Sequence, residues 1–135
     1  MLKLIIGVKG TGKTKQLIEM VNQSLEATNG DVVCIEKGEK LRFDVSYKCR
    51  LINTEEFAID GAEYLYGFVA GILASNSDVT DLYIDSALKI CKNDLAEFDK
   101  ILDSVAALSD KANVKCVMTI SLPAENATEV IKKYL

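Results

Sequence analysis

The residues with the clearest chemistry form a glycine-rich run near the start of the chain, Gly7-Val8-Lys9-Gly10-Thr11-Gly12-Lys13-Thr14. The run fits the pattern G-x-x-x-x-G-K-[ST] without a mismatch. The glycines let the backbone wrap closely enough for successive N–H groups to point at phosphate oxygens. Lys13 is suited to bridge terminal phosphates, and the Thr14 hydroxyl is suited to bind Mg²⁺. The spacing therefore predicts a phosphate-binding loop formed by residues 7–14, in which Lys9 adds positive charge unless it is simply solvated.

The segments on either side of this loop supply the context that the motif requires. Residues 2–6 are apolar and β-prone, which predicts a buried strand. After Lys13, apolar residues recur at helical spacing until Asn29-Gly30, which predicts the end of a helix. A helix that starts at the loop adds the positive end of its dipole to the site.

A phosphate site of this kind needs a second element, an acidic residue at the end of a buried strand, to hold Mg²⁺ directly or through water. Asp85 follows the apolar residues Leu82-Tyr83-Ile84 and is the good candidate. An aspartate that only caps the next turn is the alternative. We therefore predict Thr14 and Asp85 as the metal-binding residues.

The rest of the chain alternates short apolar strands with amphipathic helices. Strands are predicted at residues 32–35, 81–85 and 114–120, and helices at the apolar stripes that start at Leu65 and Leu95. Asp60 and Glu63 are predicted to form a capping box at the start of the helix that contains Leu65. Pro123 is predicted to occupy the first position of a closing helix. This alternation predicts one α/β domain over residues 1–135, with helices on both faces of a mainly parallel sheet of about five strands.

One segment departs from this alternation of buried strands and amphipathic helices. Between residues 41 and 51, apolar and polar side chains alternate strictly, which is the pattern of a half-buried strand. We therefore predict a small β excursion near 37–53. It consists of an exposed hairpin or edge excursion at about 37–47, followed by a strand of the sheet near 49–53.

Composition narrows the range of partners. The net charge of −4 and the pI near 4.9 argue against a nucleic-acid partner, which usually selects a basic surface. The chain has four cysteines in no CxxC pair and no histidine, which predicts buried, reduced thiols rather than a zinc site. No segment reaches the roughly 20 apolar residues of a membrane span, so we expect a cytoplasmic protein.

Two classes of phosphate-loop proteins are disfavoured by missing motifs. Neither the N-K-x-D nor the D-x-x-G string of GTPases occurs in the sequence. A nucleoside monophosphate kinase needs several arginines in its lid and substrate clamp, whereas the arginines here are Arg42 and Arg50, both in the alternating segment. ATP or ADP is therefore the favoured ligand.

The order of motifs resembles the core of RecA-type ATPases of the P-loop NTPase superfamily. A P-loop (Walker A motif) is followed by a helix, a strand, a helix, an acidic strand, a helix and a polar-ended strand, over about residues 1–121. The string Ile84-Asp85-Ser86-Ala87-Leu88 resembles the Walker B strand of this family, where serine likewise follows the aspartate. The resemblance implies a sheet in which another strand lies between the P-loop strand and the Asp85 strand.

The resemblance also implies roles for further residues. Glu36 and Glu39 fall where the family places its water-activating glutamate, although a solvated carboxylate at the end of a strand is the default for each. Ser121 falls where the family has a polar residue that senses the terminal phosphate. The chain departs from the family because the mobile DNA-binding loops of the recombinases have no room between Asp85 and Ser121.

Two hypotheses for function follow and stay open at this stage. The first is a slow Mg²⁺-dependent ATPase in which Lys13 offsets developing charge and Glu36 or Glu39 orients water. A homo-oligomer or a protein partner would activate it by supplying an arginine, for which Arg42 and Arg50 are candidates. The second is a nucleotide-binding switch or assembly subunit with negligible catalysis.

Overall fold

The computed structural model describes residues 1–135, which form a five-stranded sheet with every strand parallel to its neighbours. The strands are β1 (Leu2–Gly7), β2 (Asp31–Glu36), β3 (Arg50–Asn53), β4 (Val79–Ile84) and β5 (Lys115–Ser121). Their order across the sheet is β1-β5-β4-β2-β3. The predicted parallel α/β fold is confirmed, and β5 lies between β1 and β4 as expected.

Five helices cover the two faces of this sheet. They are α1 (Lys13–Ala27), α2 (Ala62–Ser75), α3 (Ala87–Ile90), α4 (Leu95–Ala112) and α5 (Glu129–Lys132). Leu17 and Val21 of α1 belong to a core of 10 buried residues on one face. Leu65 of α2 and Phe98 of α4 belong to a core of 26 buried residues on the other. The arrangement is consistent with three layers, α/β/α.

The buried strands bring the predicted site residues to one edge of the sheet. β2 is buried from Val32 to Glu36 and β4 from Leu82 to Ile84, as expected for parallel strands covered on both faces. Because the strands are parallel, their carboxyl ends lie at the same edge. In open α/β sheets this is the edge where ligands bind.

The segment between β2 and β3 corrects one prediction. Residues 37–49 contain no strand, and Leu41–Phe43 forms a 3₁₀ helix among turns. Leu41, Val45 and Cys49 are buried under α1, whereas Phe43 and Tyr47 are 80% and 91% exposed. Burial therefore repeats every fourth residue rather than every second. The predicted hairpin at 37–47 is wrong, while the strand near 49–53 is confirmed as β3.

The start of α2 corrects a second prediction. Gly61, with φ at 120°, directly precedes the helix, and no side chain caps it. Asp60 instead forms an exposed ion pair with Lys92, with 3.5 Å between the carboxylate and the ammonium nitrogen. The predicted capping box of Asp60 and Glu63 is therefore wrong, because the glycine occupies the position that the aspartate would need.

The end of the chain is less helical than predicted. Pro123 precedes a 3₁₀ helix at Ala124–Asn126 rather than opening an α-helix. The closing helix α5 starts only at Glu129, where the Thr128 side chain accepts a hydrogen bond from the Ile131 N–H at 3.1 Å. A serine or threonine at this position is a common helix cap.

The prediction for the cysteines is confirmed, since all four are buried and free. No helix has both the length and the apolar character that crossing a bilayer requires.

Candidate functional site

A cleft of about 500 Å³ lies at the carboxyl edge of the sheet. Its walls come from the segments that follow β1, β2 and β4 and from the end of β5. The sequence-predicted residues that line it are Lys9, Gly10, Gly12, Lys13, Thr14, Glu36, Asp85 and Ser121. The fold therefore brings most of the predicted site together from four separate parts of the chain.

Glycines shape the loop between β1 and α1. Gly12 has φ at 84° and directly precedes α1, a left-handed conformation that side chains with a Cβ rarely adopt. At Gly7 a Cβ would lie 2.7 Å from Thr11 Oγ1, which is too close for two such atoms. A larger residue at Gly12 would therefore be strained, and one at Gly7 would require the Thr11 side chain to move.

The backbone of this loop offers free hydrogen-bond donors. None of the N–H groups from Val8 to Lys15 donates a hydrogen bond within the protein. All of these residues except Lys13 are exposed, so water satisfies the free donors when nothing else is bound, and an anion in the cleft can replace that water. The run includes the first turn of α1, whose N–H groups and dipole favour anions.

The loop carbonyl of Val8 is the internal acceptor for the loop's side chains. Thr11 Oγ1 donates to it at 2.8 Å, and Lys13 Nζ donates to it at 2.9 Å. Lys13 is 9% exposed, so its ammonium group lies close against the loop. A phosphate oxygen in the cleft can replace this carbonyl as the partner of Lys13.

Thr14 and Asp85 meet across the cleft although they are 71 residues apart in the chain. Thr14 Oγ1 donates to Asp85 Oδ1 at 3.1 Å and to Oδ2 at 3.3 Å. Thr119 Oγ1 donates to Asp85 Oδ1 at 2.7 Å and accepts from the Ser86 N–H at 2.8 Å. Two hydroxyl groups, one from the first turn of α1 and one from β5, thus fix the Asp85 carboxylate.

The Asp85 backbone also ties its strand to the neighbouring one. Its N–H donates to the Ile35 carbonyl at 2.9 Å, and the register pairs Ile35 with Ile84. Asp85 and Glu36 therefore follow paired residues on β4 and β2. Two carboxylates at adjacent strand ends form the acidic floor of the cleft.

Glu36 is 3% exposed and serves as an anchor for the segment that follows it. Its Oε1 accepts from the Lys40 N–H and its Oε2 from the Leu41 N–H, both at 3.1 Å. Burial raises the pKa of Glu36, the two hydrogen bonds oppose this shift, and the charge of Asp85 adds to it. A raised pKa makes this carboxylate a better proton acceptor than an exposed one.

Glu39 does not lie in the cleft. Its exposed carboxylate pairs with Arg42 at 3.5 Å, and both line a separate groove together with Arg50 and Phe57. Glu36 lines both this groove and the cleft. Of the two glutamates that the sequence suggested for activating water, only Glu36 lines the cleft.

The residues present suit Mg²⁺ bound together with phosphates. The protein contains no group of three or more His, Cys, Asp or Glu side chains arranged for a metal ion. Mg²⁺ commonly takes one or two carboxylates and completes its shell with phosphate oxygens and waters. The carboxylate of Asp85 and the hydroxyl of Thr14, 3.1 Å apart, are oxygen ligands of this kind.

Several cleft residues were not predicted from the sequence. They are Lys15, Lys37, Lys40, Leu41, Ser86, Leu88, Lys89, Asn93 and Thr119. Thr119 was detectable in principle, because it is a polar residue two positions before Ser121 in an apolar strand and so shares its face. The lysines carry no such signal, since lysine on a turn or a short helix is ordinarily solvated.

No protein-family model matches the sequence, and no curated protein is significantly similar to it.

Proposed function

We propose that this protein is a P-loop protein with a RecA-like core that binds a purine nucleoside triphosphate, ATP in preference, together with Mg²⁺. The observation that carries the proposal is the contact between Thr14 and Asp85, at 3.1 Å. The sequence predicted both residues as ligands of one metal ion from patterns in separate parts of the chain, and they lie 71 positions apart. A shared Mg²⁺ ion bound to phosphates explains why a hydroxyl and a carboxylate from distant parts of the chain lie together at this edge of the sheet.

The loop residues then divide the work of holding the phosphates. The free N–H groups from Val8 to Lys15 donate to phosphate oxygens, and the Lys13 ammonium exchanges the Val8 carbonyl for a phosphate. When bound, Mg²⁺ neutralises charge on the terminal phosphates. Thr14 and Asp85 hold it, and Thr119 orients the Asp85 carboxylate. Ser121 lines the same cleft at the end of β5 and contacts the terminal phosphate.

Slow ATP hydrolysis is the first form of this function, and Glu36 is its base. A nucleotide-binding switch or assembly subunit with negligible catalysis is the second. The second is favoured by the two backbone hydrogen bonds that Glu36 already accepts from Lys40 and Leu41. These bonds couple the cleft directly to residues 37–49, which expose Phe43 and Tyr47 to solvent.

Nucleotide binding is tested by titrating the protein with fluorescently labelled ATP in the presence of Mg²⁺. We expect Lys13→Ala to weaken nucleotide binding by about tenfold to a hundredfold, because it removes a charge-assisted contact with phosphate. Lys111→Ala is the control, since this exposed lysine on α4 lies away from the cleft. Equal affinity of wild type and Lys13→Ala contradicts the proposal, and so does a wild type that binds no nucleotide.

A further inference from the structure

The cleft contains more positive charge than the protein itself neutralises. Six lysines line it, against two carboxylates, in a chain of net charge −4. They are Lys9, Lys13, Lys15, Lys37, Lys40 and Lys89. None of the six takes part in an ion pair, although other lysines of this chain do. A concave site with unneutralised charge of one sign concentrates ligands of the opposite sign.

These lysines fall into two groups with different origins. Lys9, Lys13 and Lys15 belong to the glycine loop and the first turn of α1, where the free N–H groups lie. The others come from the segments that follow the two acidic strands. Lys37 and Lys40 follow β2, and Lys89 lies in α3 after β4. The second group faces the ligand from the side of the carboxylates, not from the loop.

The backbone that carries the second group is firmly held. Glu36 accepts from the N–H of Lys40 at 3.1 Å, and the Asn53 side chain accepts from the N–H of Gly38 at 2.9 Å. In α3, the Lys89 N–H donates to the Ser86 carbonyl at 3.0 Å. The lysines of the second group are therefore fixed at their Cα atoms by the same segments that position Glu36 and Asp85.

No arginine lines the cleft. Arg42 and Arg50 both line the separate groove that contains Glu39 and Glu56. Any cation that this chain itself brings to a phosphate beyond the reach of the loop is thus a lysine. Lysine ammonium groups bind phosphate well as compact point charges.

We propose that Lys37, Lys40 and Lys89 bind the terminal phosphate of the nucleoside triphosphate, within the same chain. This inference rests on the proposed function and extends it. Apart from Lys13, which reaches toward the terminal phosphate, the glycine loop contacts phosphates that a diphosphate also has. The second group of lysines contacts only the phosphate that the triphosphate alone has. The protein therefore distinguishes triphosphate from diphosphate by its own cleft lysines, whether or not hydrolysis follows.

The test compares the affinities of two nucleotides by calorimetry, β,γ-imido-ATP and ADP, each with Mg²⁺. We expect the variant Lys37→Ala/Lys40→Ala/Lys89→Ala to lose about tenfold or more in affinity for imido-ATP, as expected for one or more charge-assisted contacts. Its affinity for ADP should change by less than about threefold. Lys89→Arg, which keeps the charge, should retain most of the discrimination.

Lys48→Ala is the matched control, because Lys48 is an exposed lysine of the same β2–β3 connection that lies outside the cleft. Equal losses for both nucleotides, no loss for either, or the same selective loss in Lys48→Ala overturns the inference and leaves the proposed function intact. Saturable binding of inorganic phosphate to protein already loaded with imido-ATP also overturns it, by assigning the lysines to a second anion. A wild type that binds neither nucleotide overturns both proposals. Thermal unfolding of each variant confirms that it is folded.

Discussion

Glu36 is held by two backbone N–H groups of the segment that follows it, and this geometry bears on the chemistry it can perform. Each oxygen of its carboxylate already accepts one hydrogen bond, from Lys40 and from Leu41. A carboxylate has about four acceptor sites, so two remain for further hydrogen bonds. The raised pKa favours proton acceptance. Glu36 is thus able to act as a base while it also anchors residues 37–41.

Hydrolysis distinguishes the two forms of the proposed function. If the protein is an ATPase, Glu36→Gln should lower the rate of phosphate release at saturating Mg-ATP by about a hundredfold or more, the usual effect of losing a general base. Glu39→Gln should leave the rate within about twofold, because an exposed ion pair such as Glu39–Arg42 contributes little. A wild type that binds ATP without measurable phosphate release supports the switch instead. A loss of rate confined to Glu39→Gln contradicts the assignment of Glu36.

The sequence predicted which residues line the cleft where local spacing marks them out. The glycine loop is one continuous motif, and Asp85 ends an apolar strand, so each was identifiable alone and the parallel sheet brought them together. The cleft lysines were not, because Lys37, Lys40 and Lys89 become neighbours only through the order of strands in space. Lysine in a turn looks the same in the sequence whether it faces bulk solvent or a cleft.

At the scale of elements, the segment between β2 and β3 shows how burial of every fourth residue can look in the sequence like burial of every second residue. Leu41, Val45 and Cys49 are buried, and the apolar residues between them are exposed aromatics. Phe43 and Tyr47 complete an alternating pattern in the sequence that the folded chain does not use. The exposed aromatic residues Phe43 and Tyr47 therefore led to the wrong prediction of a hairpin. Packing against α1 shows that Leu41, Val45 and Cys49 are the core residues of this segment.

Helix starts give a direct test of the element boundaries. The Asp94 side chain accepts a hydrogen bond from the Glu97 N–H at 3.1 Å at the start of α4. Asp94→Ala should therefore lower the free energy of unfolding by about 1 kcal/mol. Asp60→Ala should change it by less than about 0.5 kcal/mol, since Asp60 caps no helix and loses only an exposed ion pair. Urea denaturation of both variants measures the difference, and equal losses would contradict the boundary of α2.

At the scale of the whole molecule, the cysteines report on the integrity of both cores. Cys34 and Cys49 belong to the core under α1, and Cys91 and Cys116 belong to the larger core. Burial raises the pKa of Cys49 to about 11 and of Cys91 and Cys116 to about 12, and raises the pKa of Cys34 well above its usual value. Since the thiolate is the reactive form, all four are protected both by burial and by protonation.

Thiol reactivity should therefore follow unfolding. At pH 8 a thiol with a pKa of about 11 is ionised in roughly one molecule in a thousand. We expect the native protein to react with an aromatic disulfide reagent only over hours, faster as the pH rises, and all four thiols to react within minutes in denaturant. A thiol that reacts rapidly in the native protein would show that one of the cores is more open than the structure describes.

The order of strands in the sheet differs from their order along the chain, and this has a consequence for biosynthesis. β1, which ends in the glycine loop, pairs only with β5. β1 is the first of the five strands to leave the ribosome and β5 is the last. Because translation adds about 5–20 residues per second, the loop exists for on the order of ten seconds before its strand has a partner. During this time the nascent chain carries the complete glycine-rich loop but cannot yet form the cleft.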